Sequence, residues 1–399
     1  MTEQRLKHIQ AAMKESGTDA WLLYNFRDSN AIASRILGLQ EGTHQTRRWA
    51  VLIPAEGTPR GLVHRIEPHL AKAVPGEVTF YSSRTEFESS LCGLLEGHES
   101  VAMEYSPNNA LPVVARVDAG SIELVRGCNV QVRSSGELIA RLESTLTEDR
   151  LQSGIRAGAA CREIMMNAFA FIAEHVRSGS VVTEYDVVAS ILSDLEKHGL
   201  VTDHDPNCSV GPNSANPHYQ PVAESALPIT EGDFVLIDLW GREKAEGSVY
   251  GDITWTGYVG SEVPAEYEEV FQIVRQARDA SLQRVQEAFA GGERVTGADL
   301  DDAARRVIED RGYGEYFVHR TGHSITSDLH GAGTNLDNFE TRDDRPILPA
   351  TSFSIEPGIY LPDRFGIRSE LDVVITADGE VLATSEPLQT TVLPILADN

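Results

Sequence analysis

Apolar positions along the first half of the chain alternate between helical and strand spacing. Leu6, Ile9 and Met13 recur at helical intervals between Thr2, a candidate N-cap, and Gly17, a stop, which predicts a helix over 2–16. Strand-like runs follow at Ala20–Tyr24, Trp49–Ile53, Gly61–Val63, Val78–Tyr81 and Val101–Glu104, with a helical pattern at Glu86–Leu95. This alternation predicts an α/β domain. It contains no reactive constellation, and His64 and His69 read as surface or loop histidines. From Glu137 to Val176 the pattern is long and helical, broken around Thr147, a candidate N-cap for a helix carrying Leu151, Ile155, Ala159 and Ile164. A boundary near 140 is therefore expected, giving domains 1–139 and 140–399.

The second domain repeats itself. Gly179, Val182, Thr183, Asp186, Glu196 and Gly199 recur 113 positions later as Gly292, Val295, Thr296, Asp299, Glu309 and Gly312. These positions have physical jobs: Thr as N-cap, Asp as its capping-box partner and Gly as the stop. A glycine-punctuated loop with a histidine follows each helix (His218, then His330), and an apolar helix at Tyr267–Phe289 bridges the halves. Chance agreement of loop offsets would also give this pattern. Two carboxylate pairs carry the repeat further. Asp238 and Asp252 are 14 apart, as are Glu356 and Glu370, and 118 positions carry the first pair onto the second. A duplicated unit packed about a pseudo-twofold axis would bring both pairs to one centre.

Each acid lies on or beside an apolar run. With a period of two, Phe234, Leu236 and Asp238 share a face, as do Asp252, Thr254 and Thr256, and as do Arg368, Glu370 and Asp372. If the first two runs pair as a ribbon, both aspartates point inward together. Unpaired ionised carboxylates are costly to bury, and four of them would repel unless protonated or bound to metal. His323, in His-Arg-Thr-Gly-His (319–323), is a fifth candidate ligand, with His330 seven residues beyond. Four carboxylates and an imidazole suit Mn²⁺, Co²⁺, Fe²⁺ or Zn²⁺, and four negative charges match two divalent ions. Paired metals activate a bridging water and polarise a carbonyl, as hydrolysis of an unactivated amide requires.

Composition narrows the class. At 399 residues, 41% hydrophobic and 24% charged, the chain is that of a globular protein with room for two domains. A formal net charge of −26 disfavours nucleic acid and anionic lipid as partners. Cys92, Cys128, Cys161 and Cys208 lie far apart without a C-x-x-C motif, so neither a zinc knuckle nor a disulfide framework is expected. The start, Met-Thr-Glu-Gln-Arg, has no apolar signal core, and no run approaches the length of a membrane span. A reducing, cytoplasmic location is the expectation.

The order Asp, Asp, His, Glu, Glu with its flanking words resembles the pita-bread metallopeptidases: methionine aminopeptidase, aminopeptidase P, prolidase and the metal-free creatinase. The words are Gly-Pro-Asn-Ser-Ala-Asn-Pro-His (211–218), Val-Leu-Ile-Asp (235–238), Gly-Asp-Ile-Thr (251–254), Thr-Gly-His (321–323), Ile-Glu-Pro-Gly-Ile-Tyr (355–360) and Gly-Ile-Arg-Ser-Glu (366–370). The resemblance spans nearly the whole chain. It implies an α/β (α+β) protein with a pita-bread catalytic domain preceded by a creatinase-type N-terminal domain. It further implies that Asp238, Asp252, His323, Glu356 and Glu370 bind two divalent ions, Mn²⁺ being the first expectation, with Asp252 and Glu370 bridging. By the same matching, Glu356 is the proton shuttle for attack by a bridging hydroxide. His330 and His218 would bind the scissile carbonyl region. His319 aligns with a histidine lining a proline pocket, and Arg368 with an arginine beside the metals. The chain also departs from the pattern. Ser-Ile-Thr (324–326) stands where Gly-x-Gly is usual, Gly331 where Glu is common and Trp255 where many relatives have Arg, and 14 positions rather than 11 separate the first aspartates.

The N-terminal domain separates this chain from simple methionine aminopeptidases, and proline-directed hydrolysis is the expectation. Proline makes a tertiary amide with no N–H, so its recognition needs a dedicated pocket. The expected activity is that of an Xaa-Pro dipeptidase, a homodimer whose partner's N-terminal domain limits substrate length. Arg320 and Arg368 are each placed to receive a dipeptide's terminal carboxylate. Aminopeptidase P activity on longer peptides is the nearest alternative. Metal-free creatinase-type chemistry and a non-catalytic binding module are further ones, and retention of all five ligand positions argues against both.

Overall fold

The computed structural model describes residues 1–40 and 42–397, and the chain divides at Leu142 and Glu143 into two units. In the first, Thr2 caps helix α1 (Glu3–Glu15) through its hydroxyl, which accepts from the Arg5 N–H. Six strands form one sheet in the order β4-β3-β2-β1-β5-β6. These are β1 (Ala20–Asn25), β2 (Trp49–Pro54), β3 (Arg60–His64), β4 (Glu77–Tyr81), β5 (Ser100–Met103) and β6 (Gln131–Ser134). All six positions of β1 are buried, as expected of a strand covered on both faces. Helices α2 (Ala31–Leu37), α3 (Arg84–Leu95) and α4 (Ala119–Arg126) complete the unit, and α5 (Gly136–Ser144) runs across the division. Phe87 and Leu91 of α3 and Ile122 and Val125 of α4 pack on Leu22 and Tyr24 of β1.

Two expectations for this unit are corrected. Cys92 on α3 and Cys128 just beyond α4 form a disulfide, with Cα atoms 5.1 Å apart. Their 36-residue separation hides the pairing, which arises because α3 and α4 share one layer over the sheet. His64 is not a loop residue: it lies on β3, buried, its Nε2 donating to the Ser82 carbonyl and its ring edge-on to Tyr81. His69 is exposed.

In the second unit the repeat is structural. Helix α6 (Glu148–Ser178) is followed by α7 (Glu184–Lys197), and α8 (Ala265–Gly291) by α9 (Gly297–Asp310). Thr147 stands at the N-cap of α6 but makes no capping hydrogen bond. The first helix of each pair ends on a left-handed glycine, Gly179 at φ +72° or Gly292 at φ +65°. The second helix of each pair, 14 residues long, opens with both arms of a Thr–Asp capping box. Thr183 then bridges to Pro228 and Thr296 to Pro346, partners that are again 118 apart (346 − 228).

Strands β7 (Leu200–Val201), β8 (Asn207–Val210), β9 (Phe234–Glu243) and β10 (Gly251–Tyr258) belong to the first half. Strands β11 (Ser324–Ile325), β12 (Thr351–Ile355), β13 (Gly358–Leu361), β14 (Phe365–Arg368), β15 (Leu371–Ile375) and β16 (Val381–Ala383) belong to the second, and β17 (Leu393–Pro394) returns to β10. The antiparallel pair β9/β10 sets Asp238 opposite Thr254, and β12/β15 sets Ser354 opposite Asp372. Shifting the first register by 118 would set Asp372 opposite position 356, so the second ladder is displaced by two. That displacement keeps every side chain on its face. Helix α6 lies hard against β10, where a Cβ on Gly251 would come within 2.4 Å of the Gly158 nitrogen. Among the described residues no helix is long and apolar enough to cross a membrane.

Candidate metal centre

Three features of the backbone aim the acids at one point. The β9/β10 ribbon puts Asp238, Asp252 and Thr254 on the same face, since cross-strand partners and next-but-one neighbours share a side. Glu356 follows the last residue of β12, and His323 precedes β11, its partner strand. Arg368 closes β14, while Glu370 sits between β14 and β15, its N–H donating to the Thr254 carbonyl at 3.1 Å. Asp252, His323 and Glu370 thereby offer ligand atoms that all lie within 4.8 Å of one another, and all three are buried. His323 Nε2 is 3.4 Å from Glu356 Oε1 and 3.8 Å from Asp252 Oδ2. Asp238 joins through Thr254, whose hydroxyl lies 2.9 Å from Asp238 Oδ1 and 2.6 Å from Glu370 Oε2. The structure thus brings all five residues of the expected ligand set together.

The cluster is short of positive charge. A threonine hydroxyl has one proton, so it can satisfy only one of the two carboxylates it touches. Asp252 Oδ1 and Glu370 Oε1 are buried without any hydrogen-bond partner. Among the described residues the single cation in contact is Arg368, which pairs with Asp238 and lies 3.8 Å from Glu356. Burial, followed by the Asp238 charge, lifts the Asp252 carboxyl well above the ordinary range, and burial followed by Asp252 does the same to Glu370. Burial also raises Glu356, to about 7, against the pull of Arg368. Burial and the His330 ring hold His323 well below its ordinary value, leaving it a neutral imidazole with a free lone pair. A buried, oxygen-rich, undercompensated set with one imidazole fits divalent cations.

Around this set the remaining expected residues separate into two groups. Arg368 is wholly engaged inside: Nη2 donates to Asp238, Nε to Thr254 Oγ1 at 3.1 Å and Nη1 to the Tyr360 hydroxyl at 3.0 Å. The Tyr360 hydroxyl in turn donates to His319 Nε2 at 2.8 Å, while His319 Nδ1 donates to the Arg320 carbonyl at 2.6 Å. Burial and the Arg368 charge depress His319 to about 3. His330 and His218 are exposed at the rim. The His330 ring meets that of His323 edge-on at 4.3 Å. Although His330 is exposed overall, partial withdrawal of its ring from water and the Arg320 charge lower it, and His218 is among the other groups acting on it. Among the described residues, the half-buried Arg320 guanidinium has no ion-pair or hydrogen-bond partner.

Tyr360 and Ser354 escaped the sequence reading as site residues. Ser354 Oγ accepts from the His323 N–H at 3.0 Å and lies 3.3 Å from Glu356 Oε1. The signal for Tyr360 was the β13/β14 hairpin: Gly358 opposes Arg368, so Tyr360 lies one pleat further on the same face. Trp255 does not face the site. It alternates with Asp252 and Thr254, and its ring packs in the core under the Arg162 guanidinium at 4.6 Å.

Comparison with known proteins identifies the family. The model of metallopeptidase family M24 matches residues 154–377, more than half of the chain. An Xaa-Pro dipeptidase of Lactobacillus delbrueckii subsp. lactis is 33% identical over 261 residues, 65% of each chain. The crystal structure of dipeptidase PepE from Mycobacterium ulcerans superposes with a TM-score of 0.62 at 25% identity, covering 98% of this chain and 97% of that one. A prolidase from Thermococcus sibiricus shares the fold at a TM-score of 0.57 and 22% identity, over 98% and 99% of the two chains. With the pita-bread fold, a repeat in structure as well as sequence, and a buried acid cluster that calls for divalent metal, the chain belongs to metallopeptidase family M24 and is an enzyme that hydrolyses peptides.

Proposed function

We propose that this chain is an Xaa-Pro dipeptidase in which Asp238, Asp252, His323, Glu356 and Glu370 would hold two divalent cations. The observation that carries the reading is the buried acid cluster with orphaned oxygens on Asp252 and Glu370. Its oxygen-rich donor set favours Mn²⁺, with Co²⁺, Zn²⁺ and Fe²⁺ as alternatives. When bound, such a pair supplies an activated water and polarises the scissile carbonyl.

The chain's own residues do the rest. The Glu356 carboxylate, beside His323 and the Ser354 hydroxyl, takes the proton of the attacking water and passes it to the leaving proline nitrogen. His330 and His218, at the rim, donate to the developing oxyanion. Arg320, the half-buried cation without a partner, receives the terminal carboxylate of a dipeptide. Arg368 is better suited to holding Asp238, because a substrate carboxylate would have to displace three existing contacts. The half-buried His319, hydrogen-bonded to the buried Tyr360, lines the proline side.

A panel of Xaa-Pro dipeptides and Xaa-Pro-Yaa tripeptides, assayed with Mn²⁺, Co²⁺ and Zn²⁺ in turn, tests this reading. Efficient cleavage of dipeptides and poor cleavage of tripeptides is the expected result. Good tripeptide cleavage with no dipeptide cleavage would make the enzyme an aminopeptidase instead.

A further inference from the structure

We infer that Glu184 is a positioning residue, a buried carboxylate that anchors the segment 210–227 and so fixes where His218 meets the substrate. The inference rests on the role proposed above for His218. Glu184 opens helix α7 and is 0% exposed. Its Oε1 accepts from the Val210 N–H at 2.8 Å and from Asn213 Nδ2 at 2.9 Å. Its Oε2 accepts from the Tyr219 hydroxyl at 2.7 Å and from the Leu227 N–H at 2.8 Å. All four donors come from one segment, at sequence separations of 26 to 43. Tyr219 is the residue directly after His218. A second tie holds the same segment from the opposite half: Gly366 N–H donates to Ser214 Oγ at 2.8 Å, two residues before Arg368.

The chemistry requires a carboxylate. Four donors converge on two oxygens, and only an ionised acid is all acceptor; a glutamine would turn an NH₂ towards two of them. The first turn of a helix also favours negative charge. The duplicated half carries a matching device. Asp301 on α9 is 0% exposed and accepts from the Thr321 N–H at 3.0 Å, the Thr321 hydroxyl at 2.7 Å and the Asn338 N–H at 3.2 Å. It anchors the segment that carries His319, Arg320, His323 and His330. In the 113-residue register that aligns α7 with α9, Asp301 falls on position 188, one helical turn beyond Glu184, so the two acids do the same job from different turns of their helices. Each half thus uses buried acid outside the metal-binding set to hold the loop that carries its histidine.

A double-mutant cycle on Mn²⁺-loaded full-length protein tests the inference, with kcat/KM for an Xaa-Pro dipeptide and metal content by elemental analysis as readouts. Glu184→Gln and His218→Ala should each lower kcat/KM by about ten-fold or more, with metal stoichiometry unchanged. The double variant should fall no further than about two-fold below His218→Ala, because both changes act through one contact. A wild-type rate in Glu184→Gln, or an equal further loss in the His218→Ala background, overturns the positioning role. If His218→Ala alone changes nothing, the role of His218 fails, and this inference with it. Should Glu184→Gln not fold, Tyr219→Phe removes one donor and serves in the same cycle, with the same outcomes deciding.

Discussion

Stripping divalent cations from this enzyme should leave a fold that loses stability as pH rises, and the structure sets the size of the effect. Burial lifts Glu356 from 4.5 to about 7, a change worth on the order of 3 kcal/mol. A carboxyl with a raised folded pKa keeps its proton after the unfolded chain has released its own. Its contribution is therefore intact below pH 4.5, declines up to about 7 and is gone above that. Asp252, Glu370 and Asp372, all pushed well up by burial, carry the decline to higher pH. Each proton the folded cluster still holds there costs about 1.4 kcal/mol per pH unit. The acids titrate as a coupled set, so the single shifts do not add.

Histidines act in the opposite direction. His319, depressed from 6.5 to about 3, and His323, held well below its ordinary value, weaken the fold as pH falls below 6.5. They are neutral with or without cations and cancel in a difference between the two states. Calorimetric unfolding of chelator-treated and Mn²⁺-loaded protein between about pH 5 and about pH 8 should thus show a stability gap widening by at least roughly 3 kcal/mol, as proton release on metal binding requires. A gap that stays flat or narrows with pH would mean that the folded cluster is not short of positive charge. The metal-centre assignment would then fall.

Glu356→Gln should fold and lower kcat by at least about 100-fold, because an amide cannot carry the proton; steady-state rates on an Xaa-Pro dipeptide check this, and an unchanged rate removes the shuttle. Arg320→Ala should raise KM for a dipeptide about ten-fold or more with little change in kcat, and the effect should vanish with a C-terminally amidated dipeptide; an equal effect on both substrates refutes carboxylate binding. Thr254→Val removes the hydroxyl shared by Asp238, Glu370 and Arg368. Titration calorimetry should show Mn²⁺ affinity reduced by about ten-fold or more, in line with about 1–3 kcal/mol for a lost buried contact, and an unchanged Kd refutes the bridging role.

What could be read from the chain follows from the range over which each feature is encoded. Strand parity acts over two residues, so the shared face of Asp252 and Thr254 is legible before any pairing is known, whereas only the ladder's register brings Asp238 onto that face. Capping boxes act over three residues, and both Thr–Asp pairs appear where the periodicity puts them. Features made by long-range packing are silent in the sequence. Cys92 and Cys128 meet only because α3 and α4 lie side by side, and Glu184 reaches donors up to 43 residues away.

Arg368 shows how far resemblance and parity reach together. Both put it beside the acids, yet neither reveals that every one of its nitrogens is engaged by Asp238, Thr254 and Tyr360. That engagement has a physical cause. A site with four clustered carboxylates, two of them fully buried, needs a resident cation to offset their charge, and a residue so committed is poorly placed to greet a substrate. In the proposed reading that task passes to Arg320, whose guanidinium is without a partner among the described residues. The division of labour between the two arginines thus follows from charge balance inside the cluster, which only the assembled structure makes visible.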